Sequence, residues 1–307
     1  MVRGIRSFHP FVLFVYFLLA LILTTLYAHP IYLVVVTFLF IGTNLVLDNG
    51  KELEKWTNMI LTLSTVIIIL NPLFNHRGSH ILGYLFNNPI TLESLVQGAI
   101  YALSLAAVVI LFVIINIVFS PNMFTFLFSK VSHQWTIIIM LAMRFVPQLR
   151  KNIKDLQDLQ TLKGISMTEG SIRQRARNGM QFVQMILVQS LEDSITVADS
   201  MTARGYGVTK PSNYANYQMK RRDYVSLIFL FIVTIILVWA WTADYGTLQV
   251  QPYLGIIWRG GIQNIVMLVW FLFSGFLLWI EGKEIIKWKY YQHKNFPSVT
   301  QKQQNLR

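Results

Sequence analysis

The residues with the most obvious chemical potential are six histidines: His9, His29, His76, His80, His133 and His293. Only His76 and His80 approach ligand spacing, at i and i+4, and Gly78 separates them within a loop rich in Pro, Asn and Gly. That pattern does not build a metal site on one helical face. Cysteine is absent, which excludes a disulfide framework, a thiolate metal site and a cysteine nucleophile. Neither G-x-x-x-x-G-K-[ST] nor H-E-x-x-H occurs, so a nucleotide site of the P-loop kind is not expected. One stretch, Asp199-Ser-Met-Thr-Ala203-Arg204, matches the opening of the membrane CDP-alcohol phosphotransferase signature, D-G-x2-A-R-x8-G-x3-D-x3-D. The rest of the signature fails: Ser200, Asn213, Tyr217 and Arg221 stand where two glycines and two aspartates are needed. Too few carboxylates remain for the divalent metals of such chemistry. The residues therefore point away from catalysis, and no cofactor or metal is expected.

What remains are cations and small residues on long helices. Between 144 and 223 the chain carries thirteen Lys and Arg and seven acids, unlike anything around it. Leu149, Ile153, Leu156, Leu159 and Leu162 recur at helical spacing, with Arg150, Lys151, Lys154, Asp155 and Asp158 off that face. Gly164 follows, in the place of a C′ glycine, with Lys163 before it. This amphipathic helix suits a membrane surface, a partner, or the protein's own core. A second helix is predicted over 181–204. Its first half, 182–188, is apolar nearly all round and is expected to be buried. In its second half, Ser190, Ser194 and Ala198 recur every four residues, a line of small side chains that lets another helix approach closely. Ala203, Arg204 and Gly205 close it. Arg204 then either complements the helix dipole or reaches a partner. Arg173, Arg175 and Arg177 are placed between the two helices, where lipid phosphates are the expected contact. Nucleic acid is not an expected partner.

The elements that position these residues are membrane spans. Of 307 residues, 54% are hydrophobic and only 13% charged, with a mean hydropathy of +0.50. A soluble domain carries roughly 25% charged residues. A soluble enzyme and a disordered chain are both excluded, and a polytopic membrane protein is expected. Uncharged runs predict spans at 11–27, 31–47, 56–74, 95–119, 224–243 and 260–280. Pro30, Pro72 and Pro121 punctuate them. The first run, preceded by Arg3 and Arg6, reads as an uncleaved span. The apolar run 131–143 is too short to cross and suits a buried or re-entrant helix. With the amino terminus inside, 24 of the 26 Lys and Arg fall on the cytoplasmic side, and only Arg77 and Arg259 fall outside. The resulting expectation is an all-α polytopic protein of about six spans with two long cytoplasmic helices and both termini inside. It divides into 1–130, a cytoplasmic region at 131–223, and 224–307. Ionisable residues, the usual marks of an ion path, are missing from the spans.

Three stretches carry a resemblance. These are Asn71-Pro-Leu-Phe-Asn-His-Arg-Gly78 in an outer loop, Arg144-Phe-Val-Pro147 leading into the first charged helix, and Ala203-Arg204-Gly205 at the end of the second. In these the chain resembles the transmembrane T component (EcfT/CbiQ type) of energy-coupling factor transporters, a branch of ABC importers. The likeness departs at Thr161-Leu162-Lys163-Gly164, where the family usually shows a second Ala-Arg-Gly. Lys lacks the planar fork that pairs a carboxylate bidentately. The resemblance implies that each charged helix end docks on one of two ATP-binding ABC subunits (EcfA type, a homodimer or heterodimer). Arg204 and Lys163 would supply the cations, and Arg144 and Pro147 would mark the start of the first coupling helix. It also implies a small membrane substrate-binding S component as partner, contact with lipids, ATP bound only by the partners, and uptake of a vitamin or other micronutrient across a bacterial or archaeal cell membrane. A self-contained permease is the alternative reading, and a lipid-modifying enzyme stands behind it.

Overall fold

The architecture is seen in a computed structural model. It describes residues 4–75, 78–85, 88–120, 123–124, 126–127, 133–163, 171–208, 217–248, 250, 255, 258 and 260–295. The chain forms two compact units, one of residues 1–120 with 217–307, the other of residues 121–216.

The first unit is a bundle of apolar helices. Helices α1 (Pro10–Leu26) and α2 (Pro30–Asp48) each start on a proline, whose missing N–H costs nothing at a helix start. Helix α3 (Lys51–Phe74) follows after a turn at Asn49 and Gly50, both with positive φ. Strands β1 (Ile81–Leu85) and β2 (Asn88–Thr91) form an antiparallel hairpin leading into α4 (Leu92–Val118). The unit closes with α7 (Arg221–Thr242), α8 (Ile262–Ser274) and α9 (Phe276–Asn295). In the second unit lie α5 (His133–Leu162) and α6 (Ile172–Ala203).

Aromatic side chains tie the sequence-distant helices of the first unit together. Tyr27 stacks on Trp270 at 4.6 Å between ring centres, and both rings are fully buried. The Trp270 indole donates to the Tyr32 carbonyl at 3.1 Å, and the Tyr27 hydroxyl donates to the Leu237 carbonyl at 2.7 Å. Tyr32 and Tyr16 donate to the carbonyls of Gln263 and Ser274, both at 3.4 Å. In these contacts α1 and α2 are bound to α7 and α8 by neutral groups. On the other side α3 packs closely on α4 at Gly98, where an added Cβ would come within 3.0 Å of the Asn71 Cβ. The Asn71 amide fixes the pair by donating to the Ser94 carbonyl at 2.5 Å. Asn44, by contrast, donates to Phe40 O at 3.1 Å in its own helix rather than to a neighbour.

Several expectations need correction. Among the described residues four helices, α2, α3, α4 and α7, are long and apolar enough to cross a membrane singly. The run 260–280 is not one straight span but the pair α8 and α9, bent by 54°. Helix α1 has 17 residues, about 26 Å at 1.5 Å per residue. By length and composition, and among the described residues, four helices qualify singly and the bent pair makes a fifth, with the shorter apolar α1 beside them. Helix α3 runs through Pro72 to Phe74, so this proline sits inside the last turn rather than after it. The short apolar run is no separate helix either. It is the first half of α5, which continues past Arg144 and Pro147 to Leu162, so Arg144 and Pro147 sit mid-helix rather than at a helix start. Pro147 removes one N–H from the ladder without ending it. Finally, α6 begins at Ile172, so Arg173, Arg175 and Arg177 belong to its first turns and not to a connector.

The bend between α8 and α9 has a local cause. Ser274 Oγ turns back to Trp270 O at 2.6 Å, and Gly275 follows, a Ser-Gly pair of the kind that kinks helices. A Cβ on Gly275 would lie 2.9 Å from the Phe271 carbonyl oxygen. Gly275→Ala is therefore expected to destabilise the bundle by about 1–3 kcal/mol. Thermal unfolding of the purified protein in detergent measures this, and a midpoint equal to wild type would contradict the role given to the glycine.

Candidate functional site

The second unit holds the predicted cations. Helix α6 starts on Ser171, whose hydroxyl accepts from Gln174 N at 3.3 Å. It ends in a complete Schellman arrangement. Arg204 is the C-cap, Gly205 follows at φ 79°, the Gly205 amide donates to Thr202 O at 2.9 Å, and the Tyr206 amide donates to Met201 O at 3.0 Å. The order Ala203-Arg204-Gly205 thus has a physical reading. Ala203 is the last helical residue, Gly205 takes the left-handed conformation that other residues resist, and Arg204 between them is held in a fixed, exposed place. Among the described residues no hydrogen bond or ion pair engages its guanidinium. Gly207 also has positive φ, and Tyr206 and Val208 beside it are exposed.

The end of α5 repeats the theme. Lys163 follows Leu162, its amide is shared between Leu159 O at 3.2 Å and Gln160 O at 3.1 Å, and its side chain is exposed. Gly164 lies outside the described residues. The two helices meet near Gln160, whose amide donates to the Met185 sulfur at 3.4 Å. Arg204 lies nineteen residues beyond Met185 in the chain, about 28 Å along α6. The two cations are therefore separate points and not one basic patch.

Between them α6 is unexpectedly open. In the apolar half only Phe182 is buried, while Val183, Leu187 and Val188 are about half exposed. The expectation of burial there fails, because α5 covers a single face. Ser194 and Ala198 are exposed and Ser190 is partly so, and no helix of this chain lies against that line among the described residues. Ser194 Oγ instead donates to Ser190 O at 2.6 Å. Leu191 and Ile195 flank the line and are more than half exposed. Arg144 and Pro147 are exposed on α5.

A polar knot in the first unit was not legible in the sequence. Glu93, in the first turn of α4, is fully buried. It accepts from Ser79 Oγ at 2.8 Å and from the amides of Ser79 and His80 at 3.2 Å, and its carboxylate lies 2.9 Å from His80 Nδ1. An added Cβ at Gly78 would fall 2.8 Å from the Thr91 Cβ, so the glycine of the outer-loop stretch is needed for this packing. The only signal was a lone acid at the head of a span. His76 and Arg77 lie outside the described residues. Among the described residues no group of three His, Asp or Glu could hold a metal ion.

Comparison with known proteins places the chain. The family model for CbiQ, described as "Cobalt transport protein", matches residues 7–214. The chain belongs to this family, and is an all-α, multi-pass cell-membrane protein of the EcfT/CbiQ type. Its relatives include the energy-coupling factor transporter transmembrane protein EcfT of Staphylococcus aureus (strain 04-02981), 22% identical over 183 residues, covering 56% of this chain and 68% of the relative. EcfT of Lactococcus lactis subsp. cremoris (strain MG1363) is 21% identical over 227 residues, covering 67% and 82%. EcfT of Streptococcus thermophilus is 27% identical over a shorter stretch of 112 residues, 36% of this chain and 42% of the relative. The resemblance drawn from the three sequence stretches is thereby borne out at the level of family, and the family is one of transporter components.

The helix-end geometry makes a direct prediction. Gly205→Ala forces a Cβ into the left-handed region at a cost of about 1–2 kcal/mol. The amides of Gly205 and Tyr206 are then expected to exchange hydrogen several-fold faster. Exchange rates unchanged from wild type would mean that the glycine does not hold the helix end.

Proposed function

We propose that the chain is the energy-coupling transmembrane subunit of an ECF-type ABC importer. It transmits ATP-driven motion of two ATP-binding ABC subunits to a small substrate-binding S component, for uptake of a vitamin or other micronutrient. The observation that carries this reading is Arg204, an exposed cation at a C-cap locked by Gly205, on a helix whose adjoining apolar face is uncovered. A guanidinium carried on a backbone position held this way is suited to pair an acidic residue across an interface. Lys163, at the end of α5, offers a second cation well separated from Arg204, which suits two docking points on two ATPase subunits of a homodimer or heterodimer. The Ser190, Ser194 and Ala198 line, flanked by Leu191 and Ile195, offers a close-approach surface to the S component.

The chain itself holds no catalytic role in this scheme; ATP is bound and hydrolysed by the partners. The orientation follows from charge. Arg222 at the start of α7 donates to the Ser7 carbonyl just before α1, so the two helices start on the same side, among the basic residues. That side is assigned to the cytoplasm, with both termini.

The test is purification of the tagged chain from its native membrane in mild detergent, with mass spectrometry of what accompanies it. Two P-loop ATPases, or one in two copies, and a small hydrophobic protein are expected. Arg204→Glu, which reverses the charge offered to the ATPase, is expected to keep the protein in the membrane and to lower ATP-driven uptake by more than tenfold. Recovery of the chain alone even after crosslinking, or uptake by Arg204→Glu at the wild-type rate, would overturn the proposal.

A further inference from the structure

Helices α1 and α7 run side by side in the same direction. At their starts, Arg222 reaches Ser7 and sits over the Phe8 ring at 4.6 Å; at their far ends, the Tyr27 hydroxyl meets the Leu237 carbonyl. Between these two fastenings a groove of about 400 Å³ runs along their outer faces. Phe11, Val15 and Leu19 line it from α1, and Ile228, Phe231 and Ile232 from α7. Its lining is wholly apolar. Such a volume lies within the roughly 300–1,000 Å³ of small-molecule sites.

The end of the groove nearest the helix starts is different. At 100° per residue, Arg221 and Tyr224 continue the face of α7 formed by Ile228, Phe231 and Ile232. Both are exposed. Among the described residues Arg221 enters no hydrogen bond or ion pair. The neighbouring charges are already engaged. Asp223 is buried on the opposite side of α7 with its carboxylate accepting from Lys220 N at 2.9 Å, and Arg222 is held by Ser7 and Phe8. The face therefore passes along one line from an apolar trough, through a tyrosine, to a free guanidinium. That is the sequence of environments along a phospholipid: acyl chain, interface, phosphate.

We propose that this groove is a binding site for one anionic phospholipid. An acyl chain lies between Phe11, Val15 and Leu19 on one side and Ile228, Phe231 and Ile232 on the other, and Arg221 holds the phosphate. Charge complementarity selects the anionic headgroup: a zwitterionic lipid offers the same chain but cancels the phosphate charge. The lipid would fill the groove that runs along the outer faces of these two helices and so brace α1 against α7.

The test uses the full chain in detergent, titrated with phosphatidylglycerol or phosphatidylcholine and followed by native mass spectrometry. One phosphatidylglycerol is expected to be retained preferentially. Arg221→Gln is expected to weaken its retention about fivefold, and Ile228→Trp, which fills the trough, is expected to abolish it. Equal retention of both lipids, or no change in Arg221→Gln, would overturn the site. Because the chain has no cysteine, Ile228→Cys can also carry a single photo-crosslinker in native membranes. An adduct of lipid mass supports the proposal, and an adduct of protein mass overturns it.

Discussion

Inside a bilayer no water is available to satisfy a polar group, and the first unit is organised by that constraint. Its helices are joined by tyrosine hydroxyls and one indole that donate to backbone carbonyls of distant helices, and by the Asn71 amide on Ser94. These bonds have geometry but no charge. They hold α1 and α2 against α7 and α8 without creating an ion path, and they leave the cations of the chain to cluster at the helix starts and in the second unit. Among the described residues the buried carboxylates of the unit, Glu93 and Asp223, both lie in the first turn of a helix rather than at mid-helix.

The second unit follows a different logic. Helix α6 is exposed over most of its length and mixes hydroxyls with leucine and isoleucine. Alone in water such a helix would be marginal; its many i−4 hydroxyl bonds, from Ser194, Thr196, Ser200 and Thr202, do not replace packing. The ordered feature is its end. There a glycine with positive φ and two reversed hydrogen bonds hold Arg204 in one place. The helix thus combines an uncovered side with a defined end.

Much of this was legible in the sequence, and the exceptions have physical causes. The apolar runs and Gly205 at the end of a helix are local signals, and each maps onto an observed element. The bend after Ser274 was not legible, because an uncharged run reads the same whether straight or kinked. Helix α5 was divided in the wrong place. The change from apolar to charged residues at Arg144, followed by Pro147, looks like a helix boundary, yet the ladder tolerates one missing donor. Burial of Val183, Leu187 and Val188 was inferred from composition, which cannot tell a covered face from one that awaits a partner. The Glu93 knot depends on Ser79 and His80 across a hairpin, and no periodicity encodes that contact.

The most direct test of the coupling role asks what lies against the end of α6. Ala203→Cys places a unique thiol beside Arg204 and leaves Arg204 in place, since the chain has no other cysteine. A short photo-crosslinker attached there and activated in native membranes should yield an adduct with a P-loop ATPase, strengthened or lost as nucleotide is added. Adducts with lipid alone, or none at any nucleotide state, would contradict the assignment of this helix end as the point where ATP-driven motion enters the membrane.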